Sequence, residues 1–311
     1  MIGFGLGITI GDVNNDLYPD IYISNDFYER DYLYINQKNG RFLEQSKEQM
    51  GHISYSSMGA DVADINNDGN LDIFSTDMLP LDDYRLKTTM VYEDFNLTKI
   101  KVESDFYHQF SRNMLQLNNG DNTFSEVGAL AGVHATDWSW GALIFDMDND
   151  GQKDLFVANG IYKNVTDQDF VQFLNEDETM KPYLEGKKKF NYKDFVDKME
   201  AKPIANYAFK NNGKLDFTNK INDWGLAEPS FTSGAAYGDL DNDGDLDLVM
   251  NNTNQPFGIF KNNSVEKNKT NFLRVKLKGF AKNTLGMGTK IKLYAGGEDM
   301  QVFRANAQPW L

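Results

Sequence analysis

The sequence predicts an all-β protein built from four repeats of four antiparallel strands each. A nine-residue acidic pattern occurs four times, and each copy lies between short runs of small, β-branched or apolar residues that are typical of strands. After each of the first three copies, alternating residues flank an Asn-Gly pair such as Asn39-Gly40, which favours a hairpin turn because both central residues need positive φ. Each repeat therefore consists of strand A, an acidic loop, strand B, a variable segment, strand C, a turn and strand D.

The fourth acidic pattern, residues 239–247, has carboxylates at positions 1, 3, 5 and 9 and glycine at position 6. Carboxylates this close cannot all stay ionised without a cation between them, and so many hard oxygen ligands favour Ca²⁺. An EF-hand would continue to a glutamate at position 12 between two helices, but position 12 is Met250 and both flanks resemble strands. The pattern predicts a strand–loop–strand calcium site; the alternative is an acidic surface turn without metal.

All four patterns, which we call acidic loops 1 to 4, supply candidate metal ligands at positions 1, 3, 5 and 9. These ligands are Asp12, Asn14, Asp16 and Asp20 in loop 1; Asp64, Asn66, Asp68 and Asp72 in loop 2; Asp146, Asp148, Asp150 and Asp154 in loop 3; and Asp239, Asp241, Asp243 and Asp247 in loop 4. Loop 1 fits least well, because Leu17 stands where the other loops have glycine. We expect up to four Ca²⁺, with loop 1 losing its ion first as calcium falls.

Composition excludes several classes of function. The formal net charge of −15 argues against binding to nucleic acids or anionic membranes. The absence of cysteine excludes disulfides and thiol catalysis. No apolar run approaches the roughly 18 residues of a membrane span, so we expect no membrane insertion. The first ten residues lack a basic segment and lead directly into acidic loop 1, so we expect a strand there and not a signal peptide.

Two domains are predicted. The repeats occupy residues 1–268, with blades at about 3–51, 52–132, 133–227 and 228–265, and the last repeat lacks a regular C–D hairpin. Two long inserts, 78–112 and 159–206, interrupt the second and third repeats between strands B and C; we expect helices in both, including a capped helix near Thr166 and another over 191–201. Residues 269–311 form a separate small β domain with strands at 272–278, 289–294 and 300–303.

The acidic loops and their hairpins resemble FG-GAP/VCBS repeats, which are the blades of β-propellers. Residues 269–311, with Asn283 to Gly288 between strands and Gly296-Gly297 in a turn, resemble the start of an ASPIC/UnbV domain. With Asp77-Met78-Leu79-Pro80 and Asp137-Trp138-Ser139-Trp140, nearly the whole chain resembles the bacterial form of the cartilage acidic protein family. The resemblance implies a calcium-binding propeller that is extracellular or in the cell envelope.

Propellers of this type usually have seven blades, whereas four repeats are visible. A four-bladed ring can close, but we favour the interpretation that further blades precede residue 1, within a longer parent chain.

The sequence favours binding over catalysis. It contains no nucleophile elbow, Walker loop or dinucleotide fingerprint, and its three histidines have no metal-ligand spacing. We therefore expect an extracytoplasmic binding or adhesion module that recognises a glycan or a protein. The alternative is a polysaccharide-acting enzyme, or a subunit of one, built on a calcium-loop propeller.

The expected ligand surface lies opposite the acidic loops. In an up-and-down blade the A–B and C–D turns lie at one end, and the B–C and D–A connections lie at the other. Both long inserts belong to the second end, and insertions gathered on one face usually mark the binding face. The candidate ligand-binding residues there are Tyr84, Arg85, His108, Arg112, Trp138 and Trp140. The alternative is that the inserts only cap the blades and the tryptophans pack as core.

Overall fold

The structure consists of four antiparallel sheets whose first strands lie side by side. The computed structural model describes residues 3–91, 93–189, 191–269, 272–286, 288–294 and 300–304. Within each sheet, the strands that belong to one repeat pair in chain order, from the innermost strand A outward. This is a four-blade β-propeller arrangement, which confirms the predicted all-β class.

Residues 4–126 form blades 1 and 2 and the segments that connect their strands. Blade 1 comprises β1 (Phe4–Gly11), β2 (Asp20–Asp26), β3 (Tyr32–Asn36) and β4 (Phe42–Glu44), followed by α1 (Ser46–Gln49). Next come β5 (Ile53–Ser54), β6 (Ala60–Ala63), β7 (Asp72–Ser75), α2 (Asp83–Thr89), α3 (Phe95–Glu103), β8 (Gln109–Phe110), β9 (Met114–Asn118) and β10 (Phe124–Glu126). Blade 2 is the sheet of β6, β7, β9 and β10, while β5 and β8 form a separate parallel pair.

The remaining blades contain the second helical insert. Blade 3 and its insert comprise β11 (Ser139–Phe145), β12 (Asp154–Asn159), α4 (Gln168–Asn175), α5 (Asp177–Leu184), α6 (Lys193–Val196), β13 (Tyr207–Asn211) and β14 (Phe217–Asn219). Blade 4 has three strands, β15 (Thr232–Gly238), β16 (Asp247–Asn252) and β17 (Gly258–Phe260), followed by α7 (Ser264–Asn268). The last elements are β18 (Lys290–Tyr294) and β19 (Met300–Arg304), which pair with each other.

Several local expectations differ from the structure. Helix α4 begins as expected, with the Asp167 side chain accepting the Phe170 N–H at 2.9 Å. The helix expected over 191–201 is limited to the single turn of α6, and α5 was not expected. Residues 272–278 have no regular secondary structure, although their alternation predicted a strand. The predicted Gly296-Gly297 turn lies outside the described residues.

The hydrophobic core lies between neighbouring blades. Tyr22 and Leu33 of blade 1 pack in one buried cluster with Ile73 of blade 2, and similar clusters join blades 2 and 3 and blades 3 and 4. In β12, Leu155 belongs to the cluster shared with blade 2, and the next residue, Phe156, belongs to the cluster shared with blade 4. A central blade is therefore apolar on both faces, which explains its continuous hydrophobic strands.

The outer side of β1 presents apolar side chains to solvent. Ile8 and Ile10 are 69% and 45% exposed, whereas the equivalent Ala142 and Ile144 of β11 are buried against blade 2. The predicted further blades before residue 1 stay a prediction. Among the residues that the structure describes, no helix has both the length and the apolarity needed to cross a bilayer.

Glycines allow the inner strands of adjacent blades to touch through their backbones. A Cβ atom added to Gly7 would lie 2.7 Å from the Met58 carbonyl oxygen, and one added to Gly59 would lie 2.4 Å from the Trp140 carbonyl oxygen. Both distances are shorter than van der Waals contact. Side chains at these positions would therefore push neighbouring blades apart.

Replacing Gly59 with alanine is expected to reduce the free energy of unfolding by about 1–3 kcal/mol, because overpacking forces a backbone shift. Urea unfolding measures this loss. Gly51→Ala is the matched control, since a Cβ at Gly51 meets nothing within 4 Å. Equal stability of the two variants would contradict the close approach.

Asp31 is a fully buried carboxyl group between β2 and β3. Its Oδ1 accepts the Asn25 N–H at 2.8 Å, and its Oδ2 accepts the Tyr22 hydroxyl at 2.5 Å. Burial raises the pKa of Asp31 to about 7, although these hydrogen bonds oppose the shift. The equivalent residues before strand C in blades 2 and 3 are Asn113 and Asn206, which accept the corresponding backbone N–H at 2.8 Å.

Asp31→Asn is therefore expected to stabilise the protein at pH 8, by about 1–3 kcal/mol. The carboxyl has a pKa near 3.9 in the unfolded chain and about 7 in the folded chain. Its contribution to stability is thus fully present below about pH 4 and is lost as pH rises through about 7. Urea unfolding from pH 5 to pH 8 should show a smaller decline for the variant than for the wild type. Parallel pH profiles would contradict the expectation.

Candidate metal centres and ligand face

The aspartate at position 1 turns back into its own loop in acidic loops 1 to 3. Asp12, Asp64 and Asp146 each accept the backbone N–H groups of positions 5 and 6, at 2.8 to 3.1 Å. Leu17, at position 6 of loop 1, has a φ of 70°, in the left-handed region where the other loops have glycine. Loop 1 therefore keeps the shape of its neighbours at a cost in backbone strain.

The aspartate at position 9 joins each acidic loop to strand C. In every loop it accepts two backbone N–H groups, one from position 2 of the loop and one from the asparagine near the end of strand C. The donor pairs are Val13 and Asn36 to Asp20, Ile65 and Asn118 to Asp72, Met147 and Asn211 to Asp154, and Leu240 and Asn262 to Asp247, all at 2.8 to 3.0 Å. The position 9 carboxylate thus holds the loop against strand C through hydrogen bonds that need no cation.

Burial of the position 9 carboxylates of acidic loops 1 to 3 raises their pKa values. Burial raises the pKa of Asp20 to about 6 and those of Asp72 and Asp154 to about 7, while the backbone hydrogen bonds act in the opposite direction. A neighbouring aspartate of the same loop raises each pKa further. Such sites favour a compensating positive charge.

Loops 3 and 4 gather carboxylate oxygens where a cation could bind them. Each loop has three aspartates that offer oxygens within 4.8 Å of one another: Asp146, Asp148 and Asp154, and Asp239, Asp241 and Asp243. Oδ1 of Asp148 and Oδ1 of Asp239 are buried without a hydrogen-bond partner in the described part of the chain. A buried oxygen without a partner is costly, and a metal ion would satisfy it. These loops could therefore hold a metal ion.

Loops 1 and 2 carry less charge at position 3. The Asn14 and Asn66 side-chain amides each donate to the position 5 aspartate, at 3.1 and 3.0 Å. The Oδ1 atom of each asparagine accepts the backbone N–H of the same aspartate. An amide oxygen is also a hard ligand, so both loops keep a suitable donor set with one carboxylate fewer.

Lysines from strand C or the end of the last blade partly neutralise loops 3 and 4. The Lys210 ammonium contacts Asp148 and lies 2.5 Å from the Asp150 carboxylate. The Lys261 ammonium lies 2.5 Å from Asp241 and 3.1 Å from Asp243. These contacts lower the repulsion between the carboxylates, so loss of a cation need not open the loops completely.

Six asparagines that sequence reasoning did not single out connect neighbouring loops; we call them the asparagine belt. At position 4, the side-chain amides of Asn15, Asn67 and Asn149 donate to the next loop, at Asn70, Gly151 and Gly244. At the end of strand C, those of Asn118, Asn211 and Asn262 donate to the previous loop, at the carbonyl oxygens of Val13, Ile65 and Met147, at 2.7 to 2.9 Å. Recurrence of asparagine at these two repeat positions is the signal that could have identified them.

Three of the predicted ligand-face residues lie in one cluster at the end opposite the acidic loops. The Arg85 guanidinium from α2 binds both carboxylate oxygens of Asp137, at 2.8 and 2.9 Å. The rings of Trp138 and Trp140 are 6.0 Å apart, and the Trp140 indole N–H donates to a backbone carbonyl. Tyr84, beside Arg85 on α2, is exposed. Arg85 therefore serves to fix the insert on the tryptophan segment.

Two further candidates, Arg112 and His108, lie elsewhere on the protein. The Arg112 guanidinium lies 3.0 Å from both the Glu126 carboxylate and His52 Nε2. The Glu126 side chain is nearly buried and also accepts the Gly128 N–H at 2.6 Å. Arg112, His52 and Glu126 therefore hold this part of the structure together. His108 is exposed, with its ring against Tyr107. The six predicted residues therefore do not form a single constellation.

The described part of the structure has two crevices that could bind a small molecule. One, of about 400 Å³, lies between blades 3 and 4 and reaches Asp148 of acidic loop 3, with Trp224 and Leu226 on its other side. The other, of about 830 Å³, lies among the helices of the second insert and is lined mainly by apolar side chains such as Phe170 and Met199. Either is large enough for a small ligand.

Blades of three or four antiparallel strands, an acidic loop between the first two strands of each, and shared inter-blade cores define a β-propeller of repeated units. Residues 7–75 and 106–157 match a family model described as an FG-GAP-like repeat. The matched residues are therefore FG-GAP-like repeats, and they lie within the four-blade propeller arrangement described above. Residues 269–311 lie outside this match, and their resemblance to an ASPIC/UnbV domain stays a prediction.

Comparison with curated proteins gives no match. Among solved structures, the chain is similar to an Agrocybe aegerita lectin described as specifically recognising non-reducing terminal N-acetylglucosamine. The sequence identity is 14% and the TM-score is 0.34, and the alignment covers 82% of this chain and 52% of that one. The chain thus spans about half the length of that structure.

Proposed function

We propose that this protein is a calcium-stabilised binding or adhesion module. The observation that carries the proposal is the repeated donor set of the acidic loops, in which a position 1 or position 9 aspartate is held in place by backbone N–H groups. The position 3 and 5 side chains complete each set, so up to four Ca²⁺ would be bound by the sixteen residues named above. The bound ion supplies positive charge to buried carboxylates, and the residues of the loops hold strand A against strand B.

Calcium is the best match among common cations. Oxygen donors from carboxylates, amides and backbone carbonyls suit Ca²⁺, which accepts six to eight ligands in flexible geometry. Mg²⁺ requires a smaller octahedral shell. We propose a location outside the cell or in the cell envelope, where free calcium is high enough to fill sites with the affinity of about 10⁻⁴ M that is typical of extracellular calcium modules.

The ligand surface is proposed at the end opposite the acidic loops. Both helical inserts arise there, and α2, whose Arg85 binds Asp137 next to Trp138, presents the exposed ring of Tyr84. Aromatic rings on a rigid scaffold are suited to a glycan or to an apolar protein segment. Because Arg85 and Arg112 are both ion-paired within the protein, a neutral ligand fits this surface better than an anionic one. We therefore propose that this surface binds a ligand and does not catalyse a reaction.

A glycan array, probed with the full chain in 1 mM calcium, tests this assignment. Trp138→Ala is expected to weaken binding of the retained glycan about tenfold or more, since aromatic anchors dominate such surfaces, and to leave the calcium-dependent melting shift unchanged. Trp224→Ala, in the crevice between blades 3 and 4, is the matched control. If Trp224→Ala abolishes binding and Trp138→Ala does not, the ligand site is that crevice.

A further inference from the structure

Helix α3 contacts the blades through a charged side chain instead of an apolar face. Lys101 is its only buried residue, at 7% exposure, whereas Phe95 is 79% exposed and Ile100 is also exposed. A surface helix normally buries its apolar stripe. The docking of α3 therefore depends on what surrounds the Lys101 ammonium.

Two tyrosine rings form a cage on one side of this ammonium. Lys101 Nζ lies 4.0 Å from the centre of the Tyr55 ring and 4.9 Å from that of Tyr28. The two tyrosine rings meet edge to face at 5.9 Å, and the Phe106 ring lies 6.2 Å from Tyr28. The Glu93 carboxylate is 2.5 Å from the same ammonium. Cation–π attraction and one carboxylate thus hold a single positive charge.

The Tyr55 wall of the cage is held independently of Lys101. The Tyr55 backbone N–H donates to the Asp77 carboxylate at 3.1 Å and to the Phe110 carbonyl oxygen at 3.2 Å. Tyr28 lies in the connection after β2. The insert is also anchored just beyond Phe106, because the Tyr107 hydroxyl donates to the Met50 carbonyl oxygen at 2.7 Å. The Lys101 side chain can therefore leave the cage while the Tyr55 wall stays in place.

We propose that Tyr28 and Tyr55, with Glu93 beside them, form a binding site for an organic ammonium ion, and that Lys101 is a resident occupant which this ligand displaces. A quaternary ammonium group suits the cage best, because it is weakly hydrated and favours aromatic faces, whereas a lysine ammonium is a strongly hydrated point charge. Glu93 supplies the counter-charge to either occupant. The site uses none of the proposed glycan-face residues and needs no calcium, so it goes beyond the proposed function.

The test uses choline chloride as the probe and 3,3-dimethylbutan-1-ol as its neutral isostere, at matched ionic strength, with binding measured by calorimetry. Lys101→Ala is expected to bind choline about tenfold more tightly than the wild type, because the resident lysine reduces the open fraction of the cage. Lys99→Ala, an exposed lysine of the same helix, is the matched control and should behave as the wild type. The double variant Lys101→Ala, Tyr55→Ala should lose choline binding, and the neutral isostere should bind none of these proteins.

Two results would overturn the proposal: equal choline affinity in Lys101→Ala and the wild type, or equal affinity of Lys101→Ala for choline and its isostere. If Lys101→Ala does not fold, hydrogen exchange of the wild type decides the question. Choline, but not the isostere, should then accelerate exchange of the α3 amides, and unchanged exchange overturns the proposal.

A second experiment uses phosphatidylcholine vesicles as the probe. Binding of vesicles as well as free choline assigns the ligand to a lipid headgroup, and binding of choline alone assigns it to a free ammonium ion; either result supports the cage.

Discussion

Excess EDTA is expected to lower the melting temperature by about 10–20 °C relative to 1 mM calcium. With a dissociation constant of about 10⁻⁴ M, each site contributes roughly 1.4 kcal/mol at this concentration, and four sites contribute roughly 5–6 kcal/mol. A change of 1 kcal/mol shifts the melting temperature of a domain of this size by about 2–4 °C. The physical reason is that the carboxylates of each loop lose their common cation between two strands of the core.

Differential scanning calorimetry measures this shift directly. Magnesium at the same concentration is the control, and it should restore only a small part of the lost stability because its small octahedral shell does not match the loops. Superimposable melting curves in calcium and in EDTA would rule out a stabilising role for the acidic loops.

Asp154→Asn is expected to reduce the free energy of unfolding in calcium by about 2–4 kcal/mol. The asparagine amide can accept only one of the two backbone N–H groups, from Met147 and Asn211, that now bind the carboxylate. Its NH₂ group faces the other donor, and a proposed metal ligand is lost. In EDTA the loss should be smaller, because burial of the charged carboxylate raises its pKa to about 7 and so already costs stability near neutral pH.

Asp216→Asn is the matched control, since it makes the same chemical change at an exposed position of the same blade. It should have almost no effect in either condition. An equal loss for Asp154→Asn in calcium and in EDTA would show that this carboxylate acts only as a hydrogen-bond acceptor and not as a ligand.

The all-β class and the repeat pattern could be predicted because their determinants are local. Acidic loops, Asn-Gly turns and alternating strands each depend on residues within about ten positions of one another. The Leu17 backbone shows the strength of this local pattern, since it adopts the left-handed φ of 70° that the loop requires. Local reasoning failed at residues 272–278, where alternation predicted a strand but no described strand pairs with them, and Arg274 instead pairs with Asp239 of acidic loop 4.

The contacts that define the opposite end could not be predicted in this way. Arg85 and Asp137 are 52 positions apart, and no periodicity relates them. Lys101 would be assigned to the solvent face of α3 on charge alone, yet it is the residue that this helix buries. Pairings of this kind depend on how the inserts fold over the blades, which a single sequence does not encode in any short pattern.

The asparagine belt makes the acidic loops mechanically dependent on one another. Ordering of loop 2 by an ion positions both Asn67, which binds loop 3, and the carbonyl oxygen of Ile65, which Asn211 binds. If the loops bind calcium as proposed, entry of one ion would prepare the adjoining site, and calcium would be taken up over a narrow concentration range, with a Hill coefficient above 1. Replacing Asn67 with alanine would remove the hydrogen bond that its side chain makes to acidic loop 3, and so weaken the coupling between the loops of blades 2 and 3. A steep response of this kind would let the protein stiffen abruptly as it meets a calcium-rich environment.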